Sequence, residues 1–286
     1  MIAATILGSG GATPYKARTT PMLTISSENA SVLVDCGSGA TIRLAEAGIN
    51  TNSIDSLLFT HFHADHCVDF PVFVLTSYLA ERRKPLKVLG PIGTKEFVKI
   101  MLDDLFPYIK RLVGAITGKE FEIIVEELEA GQVLAIEELE VHVEDTIHSV
   151  PALCYHFQTK DGSIAVSGDT EYSEKVIAMA TDSDVLIHEC PFPPSMGTIP
   201  DHTTATQVGE VASKAGVKTL VLTHLFEEVV GEEDDISQAI QANFSGEIVF
   251  AEDLMSVKVS GKKTTVSHLN IWHSLDNKIR ETSLAS

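Results

Sequence analysis

The chain predicts an α/β fold of two packed sheets with helices outside. Three observations carry that reading: strand-like runs alternate with helical ones along the chain, 44% of its 286 residues are apolar, and polar residues able to do chemistry sit just past the apolar runs. In chain order, Thr5-Ile6-Leu7 and Ser31-Val32-Leu33-Val34 read as strands and Gly39 to Ala47 as a helix. The apolar run Ser56-Leu57-Leu58-Phe59 comes next, then the strand Leu86-Lys87-Val88-Leu89 and a helix from Gly93 to Leu105. Leu139 to Val143 alternates as a half-buried strand does, and Ser163-Ile164-Ala165-Val166 is a shorter apolar run. Glu171 to Ala180, Thr203 to Ala215 and Ile236 to Asn243 read as helices, interleaved with strands at Val185-Leu186-Ile187, Thr219 to Thr223 and Glu247-Ile248-Val249-Phe250. No linker or low-complexity tract divides the chain, so residues 1–256 are expected to form one domain. Residues 257–286, polar and weakly patterned, are expected to be a peripheral extension.

Directly after the run ending at Phe59 the chain reads Thr60-His61-Phe62-His63-Ala64-Asp65-His66, with three imidazoles and a carboxylate within six residues. That density points to a metal site. If the backbone stays extended, His61 and His63 leave on the same side and grip one cation, while Asp65 and His66 follow a turn and aim at a second position. Neutral imidazole and carboxylate suit Zn²⁺, with Mn²⁺ or Fe²⁺ as substitutes.

Two cations need ligands from other strand ends. His148 follows the strand at Leu139 to Val143; Asp169 stands in Ser167-Gly168-Asp169-Thr170, where glycine permits a sharp turn and the carboxylate could bridge both ions. His224 ends Thr219 to Thr223 and repeats the Thr-His ending of the earlier strand, which suggests a duplicated fold with the site between its halves.

With these residues in place, the sequence resembles the metallo-β-lactamase-fold hydrolases across about residues 1 to 256. The opening Leu7-Gly8-Ser9-Gly10-Gly11-Ala12-Thr13-Pro14 and the segment Asp201-His202-Thr203-Thr204-Ala205 are similar to the branch of tRNase Z, arylsulfatase and phosphodiesterase proteins. The resemblance implies a four-layer αββα sandwich. It also implies that His61, His63 and His148 hold one metal, Asp65, His66 and His224 a second, and Asp169 both. Asp65 is placed to orient or deprotonate the nucleophilic water; by analogy with the branch, His202 is expected to donate a proton to the leaving group or steady the anionic transition state, and Glu189 in His188-Glu189-Cys190-Pro191, ending another strand, to orient His202. Two Zn²⁺ ions about 3.5–4 Å apart would make a bridging hydroxide available near neutral pH.

The balance of 40 acidic against 21 basic residues, a formal charge of −19, disfavours long nucleic acid, whose binding draws on cations set against phosphates. Basic clusters occur at Arg82-Arg83-Lys84, Lys110-Arg111 and Lys262-Lys263; a homodimer could pool them. The resemblance adds a second objection to tRNA as substrate, because tRNase Z carries a gripping arm between its His and Asp ligand segments and here only Ser149 to Gly168 lies between. A small-molecule ester is the expected substrate, cleaved by a phosphodiesterase. Arylsulfatase, lactonase or β-lactamase-like activity and tRNA 3′ cleavage are the alternatives, and a non-catalytic scaffold is disfavoured by the full ligand set. Phe62, Phe70, Pro71, Phe73 and Tyr78, with Phe106, Pro107 and Tyr108, would suit the wall of a site for a small, partly apolar ester, although core packing is the commoner fate of such residues.

Met1 to Leu7 is too short and lacks the basic start of a signal peptide, and no apolar stretch approaches the roughly 18 residues of a membrane span. Cys36, Cys67, Cys154 and Cys190 include no CxxC pair. A cytoplasmic protein without membrane contact is expected, with Cys67 a small buried residue rather than a ligand.

Overall fold

Strands that bury both faces need cover on both sides, and here it comes in layers. The computed structural model describes residues 1–15, 18–82, 84–118, 122–261 and 263–269. The chain runs β1 (Ile2–Gly8), β2 (Met22–Ser26), β3 (Ser31–Val34), α1 (Ala40–Glu46), β4 (Ser56–Leu58), α2 (Ala64–Cys67), α3 (Phe70–Leu79), β5 (Leu86–Gly90), α4 (Thr94–Lys99), α5 (Tyr108–Thr117) and β6 (Ile123–Glu127). It continues through β7 (Val133–Ile136), β8 (Leu139–Asp145), β9 (Leu153–Thr159), β10 (Gly162–Val166), α6 (Glu174–Met179), β11 (Val185–Glu189), α7 (Ala205–Ala215), β12 (Thr219–Thr223), α8 (Glu233–Gln241), β13 (Glu247–Phe250), β14 (Met255–Ser260) and β15 (Lys263–His268).

The strands form one sheet in the order β15-β14-β1-β2-β3-β4-β5-β6 and another in the order β13-β12-β11-β10-β9-β8-β7. Because side chains alternate across a strand, each strand feeds two apolar layers. Ile2, Ala4 and Ile6 of β1 meet Tyr155, Phe157, Ile164 and Ile187 in the core between the sheets. Leu33, Leu57 and Val88 point the other way and pack beneath α1, α3 and α5, while Ala165, Leu186 and Leu220 pack beneath α6, α7 and α8. The result is the expected four-layer αββα sandwich.

Helix boundaries follow local chemistry. Ser173 caps α6 and Thr204 caps α7 in a capping box with Gln207, so both helices start later than their periodicity predicts. Three acidic residues in the first turn let α8 start earlier, at Glu233.

The structure bears on two expectations. Phe70, Phe73 and Tyr78 lie on α3 and are buried in the core under the first sheet, with Phe62 packed against them, so they hold the metal loop from behind and do not wall the site. Phe106 and Tyr108 are partly exposed, at 36% and 44%. The boundary at residue 256 falls inside β14, and residues 257–268 pair within the first sheet, β14 against β1 and β15 against β14. Residues 270–286 lie outside the described residues, as do Arg83 and Lys262. Among the described residues no helix is long and apolar enough to cross a membrane.

Candidate metal centre

The centre forms where strands of both sheets end. Past β4 the backbone stays extended as far as His63, which then starts α2, so His61 and His63 present their rings 4.7 Å apart and Asp65 and His66 turn onto the helix. β8 leads to His148. The turn after β10 is held open by Gly168 at φ 60°, where a side chain would strike the Leu153 carbonyl and Thr60, and it delivers Asp169. β12 ends in His224, itself at φ 57°, a conformation uncommon for a non-glycine residue and found here at the centre.

Ligand atoms of His61, His63 and His148 lie within 4.8 Å of one another, as do those of Asp65, His66 and His224, and those of His61, His66 and Asp169. Asp169 Oδ2 stands 3.9 Å from His61 Nε2, 3.5 Å from His66 Nε2 and 3.2 Å from His224 Nε2, between the two groups. Asp65 Oδ2 is 3.5 Å from both His66 Nε2 and His224 Nε2.

Hydrogen bonds behind the rings decide which nitrogens face inward. Asp35, buried and at φ 60°, accepts from the Thr60 amide at 2.7 Å, from Thr60 Oγ1 at 2.8 Å and from His66 Nδ1 at 2.8 Å. With its proton given to Asp35, Thr60 Oγ1 accepts from His61 Nδ1 at 3.0 Å. His148 Nδ1 donates to the Asp201 carbonyl at 3.0 Å. Nε2 is thereby turned inward on all three rings. His61 Nε2, His66 Nε2 and both nitrogens of His224 are buried without a hydrogen-bond partner, which is costly unless a cation completes them. The donor set, neutral imidazole with carboxylate, fits a borderline divalent ion.

The protonation states agree with this fit. Burial opposes ionisation of Asp169, yet the facing His224 and His66 rings hold its carboxyl well below the usual carboxylate range. Burial also works against Asp65, and the adjacent His224 and His66 again win, holding it down. Burial and the neighbouring His66 push His61 far down, keeping it neutral, and burial with His148 lowers His63. His66 differs: burial favours its neutral form, but Asp169 and Asp35 raise it well above an ordinary histidine, so a metal must displace its proton on binding. Burial pushes the Cys67 thiol up to about 12, and its Sγ donates to the His63 carbonyl at 3.2 Å, so it is a packed thiol and not a ligand.

Beside the ligands, His202 Nδ1 lies 2.6 Å from Glu189 Oε2, at the end of β11. Glu189 is fully buried and accepts also from the amides of Thr170 at 2.8 Å and Thr203 at 3.3 Å. Burial and the nearby Asp169 push its carboxyl well up, while His224 and the two amides pull it back. The His202 ring stands 5.5 Å from His224 and 5.9 Å from His148.

A family model described as Anti-Pycsar protein Apyc1 matches residues 2–244. The chain belongs to the Anti-Pycsar protein Apyc1 family. Among curated relatives, a ribonuclease Z of Mycolicibacterium gilvum is 30% identical over 278 residues, covering 91% of this chain and 96% of the relative. Two solved structures share the fold. The metallo-β-lactamase fold protein YhfI of Bacillus subtilis superposes with a TM-score of 0.76 at 22% identity, over 90% of this chain and 100% of YhfI. A diphosphatase from the PhnP family gives a TM-score of 0.70 at 19% identity, over 90% of this chain and 98% of that one. This Apyc1-family chain is thus a ribonuclease Z-like hydrolase of the metallo-β-lactamase fold with a metal-binding centre.

Sequence reasoning brings the seven ligand candidates, His202 and Glu189 to one place, and it misses the residues behind them. Asp35 in Val34-Asp35-Cys36-Gly37 has a weak signal of its own, an aspartate at a strand end before glycine, the same pattern that drew notice at Asp169. Asp253 is also missed. It binds the amide and hydroxyl of both Ser9 and Thr19 and the Arg43 guanidinium, fixing the glycine-rich opening loop of this Apyc1-family chain beside the centre.

Proposed function

We propose that the protein is a dinuclear zinc phosphodiesterase acting on small diesters, linear or cyclic. The observation that carries this reading is what lies between His148 and Asp169: β9 and β10 form a hairpin joined through Lys160 and Asp161, and they use 153–166 of that interval, so no tRNA-gripping arm is inserted there. Three members of the basic clusters already have partners. Arg82 is buried and donates to Ser77 and to the carbonyls of Thr51 and Ile54; Lys84 pairs with Asp55 and Glu137, and Lys110 with Asp103. The cations that remain meet a polyanion against an overall balance of −19.

In this reading His61, His63 and His148 would hold one ion and Asp65, His66 and His224 the other, with Asp169 shared between them. Bound zinc would supply activated water at neutral pH and positive charge for the phosphoryl oxygens. Asp65 accepts a hydrogen bond from the attacking water and orients it. His202, kept in place by Glu189, delivers a proton to the departing oxygen.

Ribonuclease activity is the second reading, favoured by the curated relatives named ribonuclease Z. Comparing kcat/KM for bis(p-nitrophenyl) phosphate and for precursor tRNA at moderate salt separates the two. The small diester is expected to win. Accurate 3′ cleavage of precursor tRNA with the higher kcat/KM would overturn the proposal, as would a homodimer that cleaves it by pooling basic patches.

A further inference from the structure

The rings of His61, His66 and His148 are oriented by hydrogen bonds behind them, and His224 has no such bond among the described residues. Its Nε2 faces Asp65 and Asp169, its Nδ1 is buried without a partner, and its backbone sits at φ 57°. A side chain on such a backbone is aimed only as well as the chain around it is held. Here three hydrogen bonds hold it. The Thr223 carbonyl accepts from the Cys190 amide at 2.9 Å, Phe226 donates its amide to the Pro191 carbonyl at 3.2 Å, and Leu225 donates its amide to the Ser9 carbonyl at 3.0 Å. The first two come from the chain just past β11. The third comes from the glycine-rich opening loop, which the chemistry above leaves unexplained.

That loop reaches Leu225 by close backbone packing. A Cβ on Gly8 would strike the Thr20 carbonyl, and one on Gly11 would strike the Phe226 ring, so neither position has room for a side chain. Buried Asp253 ties the loop down. Its Oδ1 accepts from the Ser9 amide at 2.9 Å and from Ser9 Oγ at 2.8 Å. Its Oδ2 accepts from the Thr19 amide and Thr19 Oγ1, both at 2.8 Å, and from Arg43 at 3.0 Å. Ser9 is thus bound to Asp253 twice and offers its carbonyl to the residue that follows His224.

We propose that Asp253 is a positioning residue for the metal centre: through Ser9 it fixes the backbone at Leu225 and with it the aim of His224. It does for this ring what Asp35 does for His66 and His61, by way of the backbone instead of the ring nitrogen. The proposal deepens the two-ion reading and rests on it. Loosening Asp253 weakens the ion that His224 would hold and spares the other.

The test titrates the full chain, stripped of metal, with Co²⁺ against a chromophoric chelator, recording the Co²⁺ absorption bands and the melting temperature before metal is added. Asp253→Asn is nearly isosteric, but an amide accepts on its oxygen alone, so it sets an NH₂ group against the donors of Ser9 or of Thr19. It is expected to weaken one of two Co²⁺ ions roughly tenfold, the ion whose bands are lost in His224→Ala, and to leave the other within about twofold. Ser9→Ala, which keeps the amide bond to Asp253 and loses the hydroxyl one, is expected to weaken the same ion less, and it carries the test if Asp253→Asn does not fold. Glu138→Gln disturbs another loop-holding carboxylate, bound to Ser27 and Asn29 beyond the far end of β2, and is expected to change neither affinity. Two ions held with unchanged affinity in the Asp253 and Ser9 variants, or both ions weakened equally, would overturn the positioning proposal alone. Fewer than two ions in wild type would overturn the two-ion reading and the proposal with it.

Discussion

Asp35 Oδ2 lies 2.8 Å from His66 Nδ1 and, through Thr60 Oγ1, also governs His61. One buried carboxylate thus turns Nε2 of both His66 and His61 toward the centre. Such outer partners fix ring orientation and tautomer.

Asp35→Asn should therefore lower zinc affinity by roughly 10–100-fold although every ligand is intact. Competition against a chromophoric chelator measures it, with the melting temperature of the chelated protein as a control for folding. An unchanged affinity would show that the ligands need no support from this carboxylate.

Asp65 and His202 should fail in different ways. On the proposed reading Asp65→Ala removes both a ligand and the water's partner, so hydrolysis should be abolished and metal content reduced. His202→Ala should slow turnover by roughly 10²–10⁴ with the metals retained, as for loss of a general acid. Glu189→Gln should follow His202→Ala in kind if, as proposed, Glu189 positions that ring, 2.6 Å away. Metal loss in His202→Ala, or full activity on a diester with a poor leaving group, would show that the ring is not a proton donor.

His188 should make stability pH-dependent. It is fully buried on β11, its Nδ1 donates to the Glu189 carbonyl at 2.7 Å, and its Nε2 has no partner. Burial, only partly offset by that carbonyl and by Asp169, pushes the imidazole down to about 4. Since its folded pKa is depressed, its contribution is fully present above the unfolded value near about 6.5 and is lost as pH falls through the folded one. Roughly 2 kcal/mol should be gone at pH 5. Urea unfolding at pH 7.5 and pH 5 should show a smaller loss in His188→Leu than in wild type. Equal losses would place the pH dependence elsewhere.

How much of this could be read in the sequence depended on whether the signal was local. His61 to His66 announces itself because four candidate ligands share one loop, and Asp169 and His224 because each closes an apolar run. Asp35 stayed hidden because its partners lie 25 and 31 positions away and nothing local marks a carboxylate that will be buried. Helix α3, Phe-Pro-Val-Phe-Val-Leu-Thr-Ser-Tyr-Leu, is apolar nearly all round, so it has no periodicity to separate aromatics that wall a site from those that fill the core. β14 and β15 alternate apolar with polar residues at the sheet edge, which made their segment look peripheral. In each case the missing information was tertiary.

The central claim is that seven side chains, His61, His63, Asp65, His66, His148, Asp169 and His224, hold two metal ions, since they exceed what one tetrahedral ion can use. Elemental analysis of protein purified after metal-replete expression tests it most directly, for wild type and Asp169→Ala. The account predicts close to two transition-metal ions per chain in wild type and a clear loss in the variant; a ratio near one, unchanged by Asp169→Ala, would contradict it.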